Sequence, residues 1–90
     1  HLKYSIVSLR REEKELLKIL VELSRGDEQL TSGEVYTLVK KKHKLGYTIY
    51  YEALRKLDNL RLINLQYRDG RGRTRLINLR YDPDKIALYL

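Results

Sequence analysis

The strongest constraint on this chain lies towards its C-terminal end, where two runs of alternating apolar residues follow each other. In Leu62-Ile-Asn-Leu-Gln-Tyr-Arg68 the apolar positions are Ile63, Leu65 and Tyr67, and along Arg73-Thr-Arg-Leu-Ile-Asn-Leu-Arg80 and the next residue they are Ile77, Leu79 and Tyr81. A period of two buries one face of a strand and leaves the other in water. Directly opposed residues of an antiparallel pair share a face, so odd numbers must here meet odd numbers. A loop of even length would set Leu65 against Thr74 or Leu76 and break that match. An odd loop sets Leu65 opposite Ile77 and Ile63 opposite Leu79. The spacing therefore predicts a β-hairpin whose tip, through Asp69-Gly-Arg-Gly72, is bulged or irregular rather than a tight Asp-Gly turn.

The segment feeding the hairpin has helical periodicity. From Thr48 to Arg61, with Thr48 placed to act as N-cap, Tyr50, Ala53, Leu54, Leu57 and Leu60 form one apolar stripe. Tyr51, Glu52, Arg55 and Asn59 project from the opposite face. Arginine can fork onto guanine, asparagine can pair with adenine, and tyrosine offers a hydroxyl or a stacking face. Glu52 either accepts from cytosine or steers Arg55; the bland reading of all these residues is a solvated helix face. The hairpin tip weighs against the bland reading. It carries Arg68, Arg71, Arg73 and Arg75 against the single acid Asp69. Mutually repelling arginines do little for stability, whereas phosphates or a minor groove would use them.

Upstream, Leu9 to Arg25 reads as a core helix with Ser8 as N-cap, Glu12, Glu13 and Glu15 near the positive end of its dipole, and Gly26 closing it. Leu9, Leu16, Leu17, Leu20 and Leu23 share its buried face, with Ile19 at the edge. Before it, Leu2-Lys-Tyr-Ser-Ile-Val7 reads as an arm, a short strand or the end of a linker. Leu30 is placed to supply a brief strand beside the hairpin. Thr31-Ser-Gly-Glu34 has the pattern of a capping box, and the helix it opens buries Val35, Leu38, Val39 and, where it ends, Leu45. Lys40-Lys-Lys-His-Lys44 occupies its last turn. Those lysines match the helix dipole, and Lys41, Lys42 and Lys44 are placed to contact phosphates as well. His43 has no ligand-type neighbour and reads as a surface residue. Gly46 supplies the turn into the next helix. After the hairpin, Asp82 as N-cap and Pro83 at the first helical position open a last short helix. Its apolar Ile86, Leu88, Tyr89 and Leu90 either fold back on the core or meet a second copy.

The order helix, short strand, helix, turn, helix, hairpin is α+β: a winged helix-turn-helix with a three-helix core, a β-hairpin wing and a short C-terminal helix. The division expected is an arm or linker end over 1–7 and a single winged-helix domain over 8–90. Ninety residues hold one domain, and 42% hydrophobic with 34% charged residues is globular rather than disordered. With 0 Cys, neither a disulfide nor a thiolate metal site is open to the chain. No apolar run approaches the roughly 20 residues that span a bilayer. The chain opens on His1 rather than Met, as a piece of a longer protein would.

Charge is segregated along the chain. From His1 to Glu34 there are 6 Lys/Arg against 7 Asp/Glu; from Val35 to Leu90 there are 13 against 5. Ordinary solubility charge predicts no such division, while a polyanionic partner does. No phosphate-binding Gly-Lys loop, paired catalytic carboxylates, Ser/His/Asp set or metal cluster is present in the sequence. An enzyme is not expected.

Three stretches, Thr31-Ser-Gly-Glu-Val-Tyr36, Leu57-Asp-Asn-Leu-Arg-Leu-Ile63 and Gly72-Arg-Thr74, together resemble the C-terminal winged-helix domain of archaeal replication initiators. These are the AAA+ relatives of the origin recognition complex and its loading partner. The resemblance runs over nearly all of Ser8 to Arg80, and it departs at Tyr50-Tyr-Glu52, so base preference does not transfer. It implies a cytoplasmic, nucleoid-associated protein that binds double-stranded DNA at replication origins. The recognition helix would use Tyr47, Thr48, Tyr51, Glu52, Arg55, Lys56 and Asn59. The wing would use Arg68, Arg71, Gly72, Arg73, Thr74 and Arg75. It also implies that ATP and Mg belong to an AAA+ module elsewhere in a longer chain, that this domain holds no cofactor, and that in isolation it is a monomer. Two alternatives stay open: a dimeric winged-helix transcription regulator, paired through the Ile86-to-Leu90 helix, and a winged helix whose basic face docks an acidic protein.

Overall fold

The hairpin forms in the register that parity demands. Ile63 pairs with Leu79, Leu65 with Ile77 and Tyr67 with Arg75. The structure is a computed structural model that describes residues 1–67 and 75–90. Among the described residues the elements are α1 (Leu2–Val7), α2 (Arg11–Ser24), β1 (Leu30–Thr31), α3 (Ser32–His43), α4 (Tyr47–Asn59), β2 (Ile63–Tyr67), β3 (Arg75–Leu79) and α5 (Pro83–Ala87). The strands form one antiparallel sheet in the order β1-β3-β2. Leu30 does supply the brief third strand, opposite Ile77, with Thr31 opposite Leu76. The expected shape of the hairpin tip falls outside the described residues. This is the α+β winged-helix arrangement, with one helix more than expected.

The additional helix is α1. Residues 2–7 are not extended: they form a short helix that places Ile6 in the core, fully buried. Ser8 is therefore the C-cap of α1 and not the N-cap of α2. The N-cap of α2 is Arg10, whose backbone N–H donates to Glu13 Oε1 at 2.8 Å. Glu13 is the acid that matters there, and as a residue it is largely buried. Leu9 still reaches the core from the link between α1 and α2.

One core joins all layers. Leu16, Leu17, Leu20 and Val21 of α2 meet Val35 and Val39 of α3. Tyr50, Ala53, Leu54 and Leu57 of α4 close on them, and Ile63 and Ile77 seal the sheet side. Each fully buried leucine or isoleucine contributes about 1.5–3 kcal/mol. Leu38, expected inside, is 42% exposed because it sits on the flank of α3 rather than on the Val35–Val39 line. Leu65 and Leu79 are only half-buried, and Tyr81 lies outside the strands and is exposed. Ile86 of α5 is fully buried, Leu90 packs against the core, and Leu88 points outwards. Asp82 Oδ1 accepts from the Asp84 N–H at 2.9 Å, with Pro83 opening the helix as expected. A surface ion pair, Arg25 Nη1 to Asp84 Oδ1 at 2.8 Å, ties α5 to the end of α2.

The turns around α4 correct two local expectations. Gly46 has an ordinary extended conformation at φ −73°, and it is the N-cap; Thr48 lies inside the helix. The left-handed residue is Lys44, at φ 53°. At the other end Arg61 is left-handed too, at φ 60°. Its N–H donates to Asp58 O and that of Leu62 to Leu57 O, both at 3.0 Å. This is a Schellman stop, completed by burial of Leu57 and Leu62 together.

Candidate nucleic-acid interface

The surface that the sequence nominates is built on α4. Its buried stripe, Tyr50, Ala53, Leu54 and Leu57, is fixed by the core. At about 100° per residue this leaves Thr48, Glu52, Arg55, Lys56 and Asn59 on one outward arc. All five are exposed. Glu52, Arg55, Lys56 and Asn59 line one open depression of about 550 Å³. Its far wall is Arg10, Glu12 and Glu13 at the start of α2, and its floor includes Leu45 and Ile49. The sequence reading missed this wall and the half-exposed Ile49. The depression is of mixed charge, so it suits base edges and other hydrogen-bonding groups better than a run of phosphates.

Tyr47 and Tyr51 stand apart from that arc. Tyr51 was expected outside but is half-buried. Its ring lies 4.6 Å from that of Tyr47 and 4.7 Å, edge-on, from that of Tyr50. Tyr36 of α3 joins them, 5.1 Å from Tyr50 and 5.6 Å from Tyr47. Tyr36 belongs to this group only through the packing of α3 on α4, and no spacing in the sequence signals it.

The hairpin is tied to α4 through one buried residue. Tyr50 Oη donates to the Ser32 carbonyl at 2.8 Å, and Ser32 Oγ accepts from the Arg75 backbone N–H at 3.1 Å. Ser32 is fully buried where β1 turns into α3. One step further along the β1–β3 register it would face Arg75, so its hydroxyl extends the ladder by one rung after the backbone has become helical. Burial, and to a lesser degree the neighbouring Tyr51, pushes the Tyr50 phenol well above the ordinary tyrosine range. It therefore stays a proton donor at any physiological pH. Thr31 Oγ1 accepts from the Glu34 N–H at 3.3 Å, but the Glu34 carboxylate returns to the Thr31 hydroxyl at 2.6 Å rather than to its N–H. The backbone there is already in β1.

Of the wing residues, Arg75 is described and half-buried. Arg68, Arg71, Gly72, Arg73 and Thr74 lie outside the described residues. Arg80, at the foot of the hairpin, is structural: its Nε donates to the Ile63 carbonyl at 3.1 Å and its Nη2 to Asn64 Oδ1 at 3.2 Å. Lys41, Lys42 and Lys44 are all exposed at the end of α3. Lys42 does not share the α4 depression; with Lys18, Ile19, Leu23, Leu38 and His43 it lines a groove between α2 and α3. No helix among the described residues is long and apolar enough to cross a membrane.

Known proteins resemble the chain over nearly all of its length. It is 35% identical over 88 residues to ORC1-type DNA replication protein 6 of Halobacterium salinarum, covering 96% of this chain and 22% of that protein. It is 37% identical over 87 residues to ORC1-type DNA replication protein 3 of Haloarcula marismortui, covering 93% and 23% respectively. It is 29% identical over 82 residues to ORC1-type DNA replication protein 2 of Archaeoglobus fulgidus, covering 90% and 21%. The chain thus spans about a fifth of the length of these curated relatives. No family model and no solved structure matches it. By sequence, the chain is a homologue of one segment of the archaeal ORC1-type DNA replication proteins, consistent with the C-terminal winged-helix domain that its motifs resemble.

Proposed function

We propose that this domain binds double-stranded DNA at replication origins, as the C-terminal module of a longer initiator chain that also carries an AAA+ ATPase. The observation that carries the reading is the joining of charge segregation to shape. The half of the chain from Val35 onward holds 13 Lys/Arg against 5 Asp/Glu, and that half contains both α4 and the hairpin. The outward arc of α4 offers Arg55, Lys56 and Asn59 to a major groove, while the arginines from Arg68 to Arg75 reach the flanking phosphates or minor groove. Lys41 and Lys44 add phosphate contacts at the end of α3. ATP and Mg are assigned to the AAA+ module, and this domain does no catalysis of its own.

The test is fluorescence anisotropy on a random-sequence duplex across a salt series. Affinity should fall with salt as expected for roughly four to six neutralised phosphates. Replacing Arg71 and Arg73 with Ala should weaken binding to every sequence and flatten the salt slope by about two charges. Replacing Arg55 or Asn59 with Ala should cost about 1–3 kcal/mol on a preferred site and mainly relax sequence preference. A domain that ignores duplex even at low salt would sink the proposal and leave the basic half as a protein-docking face.

A further inference from the structure

Four of the chain's 8 tyrosines meet where α3 and α4 pack. The innermost, Tyr50, is fully buried and locked by its bond to Ser32. Tyr36 and Tyr51 are half-buried on top of it, and the outermost, Tyr47, is 62% exposed. Rings gathered only to fill a core would hide the outermost one. Here the outermost ring is held in place by its neighbours, at 4.6 Å from Tyr51 and edge-on to Tyr36, while most of its surface faces water. Burial of that surface would be favourable, and little side-chain freedom remains to be lost on binding.

The surroundings indicate what would cover it. Lys40 lies one turn beyond Tyr36 on α3, and Arg55 lies one turn beyond Tyr51 on α4; both are exposed. The backbone of Arg75 is tied to Ser32, one turn before Tyr36. On this side of α4 the acid Asp58 is half-buried, and on α3 the exposed Glu34 carboxylate accepts from the Thr31 hydroxyl. A flat apolar face bordered by cations fits an aromatic base on a phosphate backbone. A base can reach such a face only when it has left the duplex stack.

We propose that Tyr47, backed by Tyr36 and Tyr51, is a stacking site for an unpaired nucleobase beside the duplex-binding surface. The site rests on the duplex reading given above, and it makes the domain favour DNA that is locally opened or carries an extruded base. Stacking is tolerant of base identity, since every base has a π-face, so the preference is for the unpaired state and not for a sequence.

The experiment compares three labelled DNAs by anisotropy: a blunt duplex, the same duplex with one base left unpaired opposite an abasic site, and a single-stranded oligothymidine. The unpaired base should raise affinity about tenfold over the blunt duplex, within the range for one base stacked on aromatic side chains. In Tyr47→Ala the ratio between the two duplexes should fall to near one, whatever happens to blunt-duplex affinity, and Tyr47→Phe should keep it. Tyrosine emission gives a second readout with no tryptophan background, since the chain has 0 Trp, and it should be quenched by the unpaired-base DNA. Equal affinity for the two duplexes, or a ratio that survives Tyr47→Ala, overturns the stacking site while leaving duplex binding intact. Binding of oligothymidine alone, lost in Tyr47→Ala, keeps the site and removes the duplex reading. If no DNA binds, both fall.

Discussion

Replacing Tyr50 with Phe would remove one oxygen atom from the interior and leave the ring where it is. The lost interaction is the 2.8 Å bond from the phenol to the Ser32 carbonyl, with both residues fully buried. That carbonyl stands at the first position of α3, where it also receives the helical N–H four residues on, so it is not orphaned. The cost is therefore the net value of one hydrogen bond, about 1 kcal/mol. For a domain of this size it lowers Tm by about 4–8 °C. Ser32→Ala should cost at least as much, because it removes the side-chain acceptor of the Arg75 N–H at the start of β3. Thermal melts followed by circular dichroism at neutral pH measure both.

A pH series supplies an independent arm. The folded phenol is held protonated, chiefly by burial, while in the unfolded chain it titrates near the ordinary value of about 10. Below that pH both states hold the proton and this group contributes no slope. Above it the unfolded state holds fewer protons, so stability falls as pH rises towards the higher folded value. Tyr50→Phe should remove that component of the alkaline decline. A variant that melts with the parent at neutral pH, or that loses stability in parallel with it above pH 10, would refute the assignment of the Tyr50–Ser32 bond as a structural tie.

Two further outcomes follow from the backbone and from the C-terminal helix. Arg61→Gly removes the cost of a left-handed non-glycine residue at φ 60° and should stabilise the domain by roughly 1 kcal/mol in chemical denaturation; a loss of stability would show that the arginine side chain holds the Schellman stop together. Leu88, at 75% exposed, is the apolar residue of α5's end least engaged by its own chain. Leu88→Asp should leave both Tm and the sedimentation coefficient of a monomer unchanged. A parent dimer at micromolar concentration, dissociated by this change, would favour the dimeric-regulator reading.

Residues whose neighbours are close in sequence were legible, and those whose neighbours arrive through packing were not. The hairpin register followed from parity, because alternation allows only odd-with-odd pairing between Ile63–Tyr67 and Arg75–Leu79. The buried stripe of α4 followed from its period. Helix α1 escaped because six residues with one buried position, Ile6, carry no detectable period. The left-handed Lys44 and Arg61 escaped because glycine is the usual marker of that conformation, and the nearby glycine, Gly46, does not adopt it. At the candidate site, Arg55, Lys56 and Asn59 were legible as an outward face. The wall at the start of α2 and the ring of Tyr36 were not, since both are brought in by helix packing. Ser32 looked like an ordinary residue inside a capping motif; its second task, holding the hairpin, depends on a strand that lies more than forty residues further on.

The turn after α4 has a mechanical consequence. Only Leu60, Arg61 and Leu62 separate the helix from β2, and this link is held by backbone hydrogen bonds and by the buried Leu62. Ser32 in turn ties α4 to β3, the second strand of the hairpin. The helix and the root of the hairpin therefore behave as the two jaws of a fixed-gap gauge with no adjusting screw. A surface that engages both jaws must already have that gap or must itself bend to reach it, so the work of fitting falls on the partner.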